Sequence, residues 1–281
     1  MLEPIESLFE SRDGAGREIP LPDDLTRAYG GGFWHSVHPG RPHIAGNFVS
    51  TLDGVVSLAV PGMTGGGHIS GFNAHDRLVM GLARAVADAV VVGAGTFRAA
   101  SKGIWTAGDI FSDFSDLYSE VRRNLGKPEP PLNVVVTGSG DLDPDLRVFQ
   151  SGEVQAMVIT TSIGGNLLRT RGLPQSVIVE ELAEAGPLAV EAIIEAVLAT
   201  RACDFILTEG GPFLIGDFLA AGKLDELFMT VSPQVAGRDS SDSRPGLVAG
   251  REFAPGNPLW SRLTSVKRAN NHLLMRYAFD Q

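Results

Sequence analysis

Two segments of this 281-residue chain end an apolar run in glycines, and a third ends one in a carboxylate beside a turn. Ala89-Val90-Val91-Val92 runs into Gly93-Ala94-Gly95-Thr96, and Phe205-Ile206-Leu207-Thr208 runs into Glu209-Gly210-Gly211-Pro212. Bare backbone at the carboxyl end of a buried strand is where α/β sheets bind phosphorylated ligands. A helix starting there turns its positive end toward an anion. Gly93 and Gly95 suit the close approach of a pyrophosphate, Thr96 adds a hydroxyl and Arg98 a cation. The other reading is a plain structural turn, since Arg98 stands where a G-x-G-x-x-G fingerprint needs its last glycine. At the second turn the amides of Gly210 and Gly211 are free to face a ligand, and Glu209 either faces it too or caps the following helix. Asp53, in Ser50-Thr51-Leu52-Asp53-Gly54, is either the first residue of an Asp-Gly turn or a carboxylate that holds the N–H groups of a heterocycle. Arg84 is an exposed helix residue or a phosphate ligand. Arg147, Arg169 and Arg171 are further cations that read as ordinary surface residues. His68 and His75 lack a set of metal-ligand partners, so no metal is expected. Together the segments point to a nucleotide-using enzyme.

The elements that must position these groups alternate in type. Strands are expected at Ile44 to Ser50, Val90 to Val92, Val134 to Val136, Met157 to Ile159, Val177 to Val179, Phe205 to Thr208 and Leu227 to Val235. Most are apolar without alternation, which is the signature of a strand buried on both faces. Helices are expected over Leu21 to Tyr29, Asn73 to Val86 with Asn73 as N-cap, Ser112 to Leu125, Asn166 to Arg169, Pro187 to Thr200 and Phe213 to Ala221 with Gly222 beyond its end. Residues 62–71 read as a glycine-rich loop over a cleft, and residues 237–246 as a solvated loop. Leu263 to Val266 and Leu273 to Ala278 form a hairpin around Asn270-Asn271. The pattern predicts an α/β fold with a mainly parallel central sheet, helices on both faces and an antiparallel C-terminal hairpin. Residues 1–43, punctuated by prolines and glycines, read as an irregular N-terminal extension, and residues 44–281 as one domain.

Composition narrows the partners. Hydrophobic residues make up 43% and charged residues 20%, enough for a sizeable core. A formal charge of -10 argues against nucleic acid or an anionic membrane and leaves a small-molecule ligand. Cys203 is the single cysteine, so no internal disulfide forms. Met1 to Glu10 lacks the pattern of a secretory signal, and no run approaches the roughly 18–20 apolar residues that cross a bilayer. A cytoplasmic protein is expected.

Read jointly, the motifs resemble the reductase domain of riboflavin biosynthesis, a family with the dihydrofolate-reductase-like fold. The likeness runs from about Ile44 to Phe279. Its carrying residues are Ser50 to Gly54, Leu82-Ala83-Arg84 ahead of Gly93 to Thr96, and Leu207 to Leu214. The resemblance implies NADPH as cofactor, held by Gly93, Gly95, Thr96, Gly210, Gly211, Pro212, Phe213 and Leu214 and onward to Asp217, with Thr137 or Ser139 near its adenosine half. It implies Asp53 as the catalytic and substrate-binding carboxylate, Glu209 beside it and Arg84 on the substrate phosphate. The implied reaction is that of 5-amino-6-(5-phosphoribosylamino)uracil reductase, hydride transfer to ribose C1′ in its open-chain form. Reduction of a pterin and non-catalytic NADPH binding are the alternatives. A homodimer through the Leu227 and Leu273 segments is implied as well. Phe97 to Ser101 replace the Asp-Asp-Pro usual in the family, and Gly65-Gly66-Gly67-His68 replace its usual polar and aromatic loop. The deaminase signatures of the bifunctional members are absent, so a stand-alone reductase is expected.

Overall fold

The computed structural model describes residues 2–11, 16–60, 63–99, 103–239 and 244–279. The chain opens with β1 (Glu6–Glu10), β2 (Gly16–Ile19), α1 (Asp23–Tyr29) and β3 (Phe33–Ser36) before β4 (His43–Ser50) enters the centre of the sheet. Then come α2 (Gly66–Ser70), α3 (Ala74–Val86), β5 (Ala89–Gly93), α4 (Ala94–Ala99), α5 (Ala107–Ile110) and α6 (Ser115–Asn124). The middle of the chain supplies β6 (Leu132–Val136), α7 (Arg147–Gln150), β7 (Ala156–Thr161), α8 (Ser162–Thr170), β8 (Ile178–Ala183) and α9 (Val190–Thr200). It closes with β9 (Phe205–Thr208), α10 (Pro212–Ala220), β10 (Glu226–Val231), β11 (Arg262–Ala269) and β12 (His272–Ala278).

All strands but β2 and β3 share one ten-stranded sheet, ordered β1-β11-β12-β10-β4-β9-β5-β6-β7-β8. From β10 to β8 every neighbour is parallel, whereas β1, β11 and β12 pair antiparallel at one side. The α/β architecture expected from the sequence is therefore the one found. Parallel strands need helical crossovers, and these cover both faces, which is why β4 and β9 are buried along their whole length and β5 at all but Gly93. One face packs Leu78 and Leu82 of α3, Phe97 of α4 and Val121 of α6. The other packs Ile193 and Val197 of α9 and Ile215 and Phe218 of α10. Tight C-terminal pairing of β11 and β12 follows from a two-residue turn in which Asn270 adopts φ 54.

The topology opens a crevice at one place. After β5 the chain moves outward to β6, β7 and β8; after β9, which returns beside β5, it moves the other way to β10. Phe97 of α4 and Ile215 of α10 belong to opposite faces, so the two connections part at the carboxyl ends of β5 and β9. Ligands of open α/β sheets bind at such a switch point.

Several local expectations change. The segment before His43 is not an irregular arm. It adds β1 to the sheet edge against β11, and Ile5, Ile19, Leu25, Tyr29 and Phe33 join the core. Within residues 62–71, expected as loop, Gly66–Ser70 is helical, ended by Gly71 at φ 63; Gly62 lies outside the described residues. The helix expected from Pro187 starts at Val190, and the strand expected to reach Val235 ends at Val231. The expected loop 237–246 falls partly outside the described residues. No helix among the described residues is long and apolar enough to cross a membrane.

Candidate active site

A cleft of ≈ 960 Å³ lies over the carboxyl ends of β4, β5 and β9. Its lining includes Gly93, Gly95, Thr96, Gly211, Pro212, Phe213 and Leu214, with Gly138 of the β6 turn and residues 186–188 ahead of α9. The two glycine turns meet directly, for the amide of Gly93 donates to the carbonyl of Gly210 at 2.6 Å. Gly210 has φ 79, and a Cβ there would fall 2.3 Å from the Phe48 ring, so no other residue fits that crossing. At Gly95 a Cβ would meet nothing within 4 Å, which leaves open space above the backbone. Pro212 occupies the first turn of α10, where it has no amide to leave unsatisfied. Bare backbone, a helix start and the Thr96 hydroxyl are the chemistry of a phosphate cradle.

Polar side chains share the same cleft. Asn47, Ser57, Asp76, Arg84 and Glu209 line it together with Thr64 and Gly65 to Gly67. The glycine-rich stretch expected over a cleft does border it. Asp76 is the carboxylate that the sequence reading missed. Asn73 caps α3 by accepting from the amides of His75 and Asp76 at 2.9 and 3.0 Å, which fixes the first helical turn and turns Asp76 into the cleft. Its side chain is bonded by the hydroxyls of Thr230 and Ser70, yet burial outweighs them and raises its pKa above the usual carboxylate value. The available signal was a carboxylate heading the apolar stripe Val79, Met80 and Ala83 of α3. It was hidden because an acid in a first helical turn ordinarily serves the helix dipole.

Asp53, the expected catalytic carboxylate, does not line the cleft. It accepts from Thr51 Oγ1 at 2.5 Å and from the amides of Ala236 and Gly237 at 3.1 and 2.8 Å. Those bonds, Thr51 foremost, pull its pKa down to about 2. Asp53 is thus a clasp between the turn after β4 and the loop after β10. Its carboxylate accepts one local bond, from Thr51, and two from amides of the loop after β10.

Arg84 and Glu209 do reach the cleft, but they bind each other. Arg84 Nε and Nη2 donate to the two oxygens of Glu209 at 2.7 Å each, and Nη1 donates to the Thr106 carbonyl at 3.2 Å. Both side chains are 7% exposed. Arg84 is not the exposed helix residue of the bland reading, and as a phosphate ligand it would already be neutralised by its partner. Glu209 does not cap α10.

The remaining expected contacts divide. Thr137 is buried and its hydroxyl accepts from the Gly140 amide, and Ser139 accepts from the Asp141 amide; neither lines the cleft, whereas Gly138 between them does. Arg98 lines it, with one bond to the Asp141 carbonyl at 3.3 Å. Arg147, Arg169 and Arg171 are bound on the surface by Glu153, Glu181 and Asp141 respectively.

A family model described as the RibD C-terminal domain matches residues 42–271. The Riboflavin biosynthesis protein RibD of Mycobacterium tuberculosis is 29% identical over 203 residues, 72% of this chain and 45% of that protein. The chain thus spans less than half the length of the curated relatives it matches. Among solved structures, a pyrimidine reductase-like protein from Corynebacterium diphtheriae has a TM-score of 0.62 at 21% identity, covering 85% of this chain and 92% of that one. A diaminohydroxyphosphoribosylaminopyrimidine deaminase/5-amino-6-(5-phosphoribosylamino)uracil reductase from Thermotoga maritima also scores 0.62, at 22% identity over 85% of this chain and 57% of its own.

Proposed function

The chain belongs to the RibD C-terminal domain family, and from that premise we propose that it is an NADPH-dependent reductase of a phosphorylated aminopyrimidine, 5-amino-6-(5-phosphoribosylamino)uracil. The observation that carries this reading is one cleft lined by both glycine turns and by the polar side chains Asn47, Ser57, Asp76, Arg84 and Glu209. Gly93, Gly95, Thr96 and residues 211–214 hold the dinucleotide, and Gly210, whose carbonyl accepts from the Gly93 amide, shapes the turn beneath it. Gly138 and residues 186–188 flank its adenosine half, and Arg98 supplies the positive charge nearest its phosphates. NADPH, when bound, supplies the hydride. Asn47, Ser57 and Asp76 address the pyrimidine, and the Arg84–Glu209 pair orders the wall beside it. Addition of hydride to C1′ of the open-chain imine converts a C=N bond into C–N and leaves the nitrogen short of one proton. Asp76, whose pKa burial raises, faces the cleft and is the carboxyl that donates that proton.

The choice of NADPH over NADH follows from the family and not from any residue that meets a 2′-phosphate. A homodimer is part of the same reading. Leu227 is buried within the sheet, so the contact falls to the exposed Leu263 and Leu273 of β11 and β12.

The direct test is absorbance-monitored NADPH oxidation with the aminouracil phosphate, with dihydrofolate as the competing substrate. Turnover of the first and not the second supports the reading; turnover of dihydrofolate alone sinks it. Gly95→Leu tests the cradle separately. Its side chain meets open space, and leucine favours a helix over glycine. We expect NADPH binding, followed by nicotinamide fluorescence, to weaken at least about tenfold, or ~1.4 kcal/mol, with the melting temperature unchanged. Unaltered affinity would move the cofactor elsewhere.

A further inference from the structure

At the opposite end of the strands from the cleft, three side chains from distant parts of the chain converge. His38 precedes β4, His43 begins it and Asp225 stands just before β10. His38 Nε2 lies 3.3 Å from His43 Nδ1 and 3.2 Å from Asp225 Oδ1. His43 Nδ1 is 4.0 Å from Asp225 Oδ2, and one ligand atom from each residue lies within 4.8 Å of the others. Two nitrogen or oxygen donors bound tetrahedrally to zinc at about 2.0–2.1 Å stand about 3.3–3.4 Å apart. The His38–His43 and His38–Asp225 Oδ1 separations match a shared ion; His43 lies nearest the other carboxylate oxygen, Oδ2, so the carboxylate must turn for one oxygen to meet an ion held by both rings.

The surroundings prepare the donors. His43 Nε2 faces Glu226 Oε2 at 3.3 Å, and Arg276 holds Glu226 through both of its oxygens at 2.8 and 2.9 Å. A proton on Nε2, directed to Glu226, leaves the Nδ1 lone pair pointing at His38. A carboxylate behind a histidine is the arrangement that fixes ring orientation and tautomer in metal sites. Asp225 is anchored by the Ile44 amide at 2.8 Å. His43 and Asp225 are almost fully buried, whereas the His38 side chain is 25% exposed and gives the site a solvent-facing side.

One cation already sits there. Arg41 Nη1 and Nη2 donate to the two oxygens of Asp225 at 2.8 Å each, and its side chain is 39% exposed. It neutralises Asp225 from the solvent side, and its one further bond is from Nη1 to the carbonyl of the neighbouring Pro42 at 3.2 Å.

We propose that His38, His43 and Asp225 form a three-ligand site for a zinc-type divalent cation, in which Arg41 is the placeholder that the ion displaces. Bound there, the ion ties the segment between β3 and β4 to the starts of β4 and β10. Two imidazoles and one carboxylate favour Zn²⁺ or Co²⁺ over Mg²⁺ or Ca²⁺.

The test titrates the whole, chelator-dialysed protein with Zn²⁺ by calorimetry and with Co²⁺ by visible absorption. The expected result is saturable 1:1 binding, a rise in melting temperature and the d–d bands of a low-coordinate cobalt site. His43 is too buried to replace safely, so the variants are His38→Ala and Arg41→Gln. His38→Ala should weaken binding about tenfold or more. Arg41→Gln, which removes the competing charge, should strengthen it several-fold, an outcome that a purely structural arginine would not produce. Absence of saturable binding in the parent protein overturns the proposal. So does affinity that is indifferent to His38, or that falls on loss of Arg41.

Discussion

Replacing Asp76 by asparagine is expected to lower kcat on the order of 10²-fold, about 2.7 kcal/mol, and to leave the NADPH dissociation constant unchanged. Asparagine keeps the size and the contact with Thr230 but carries no transferable proton. The pH profile identifies the cause. Burial raises the Asp76 pKa above the ordinary carboxylate value, so the protonated form persists into less acidic solution. Activity that depends on it is flat at low pH and falls as pH rises through the raised value; Asp76→Asn should remove that limb. Stability carries the same sign. As pH rises, the unfolded chain releases its proton first, so stability declines between the ordinary and the raised pKa. The variant should lose that decline as well. Asp53→Asn is the control, because Asp53, at about 2, stays ionised across the assay range and touches a loop instead of the cleft. If Asp53→Asn abolished turnover and Asp76→Asn did not, the carboxylate assignment would revert to the earlier residue.

The second large effect concerns stability. Either Arg84→Met or Glu209→Leu should destabilise the protein by about 3–5 kcal/mol, because each leaves a buried charge without its counter-ion. The double variant should recover much of that loss, since two apolar side chains pack where an ion pair was desolvated at a cost. Denaturant unfolding of the parent, both single variants and the double variant closes the cycle. Additive losses with no recovery would mean that the two side chains act independently. Measuring kcat and KM on the same four proteins separates architecture from substrate contact. A pair that only orders the wall affects stability and kcat together, whereas a true phosphate ligand at Arg84 would raise KM specifically for the phosphorylated substrate.

Local order explains what was legible beforehand. Val90 to Val92 and Phe205 to Thr208 announce central parallel strands, since burial on both faces forbids alternation. Glycines straight after such strands mark the two turns that meet at the cleft, because the need for bare backbone is written at the residue itself. The Asn73 cap was visible for the same reason. The N-terminal strands were not. β1 is short, its Leu8 and Phe9 are exposed, and it is defined by pairing with β11 more than 250 residues later.

By itself the sequence determined the class of the fold, the family and the glycine turns at the ends of the central strands, all of which rest on neighbours along the chain. Tertiary structure decided what each charged side chain is for. Arg84 and Glu209, 125 residues apart, neutralise each other; Asp53 is claimed by amides 183 and 184 residues away; Asp76 is left as the buried acid of the cleft. His38 and His43 acquire Asp225 only when β4 and β10 lie side by side. A charge in a low-dielectric interior takes its role from the partners that surround it, and those partners are chosen by folding and not by spacing.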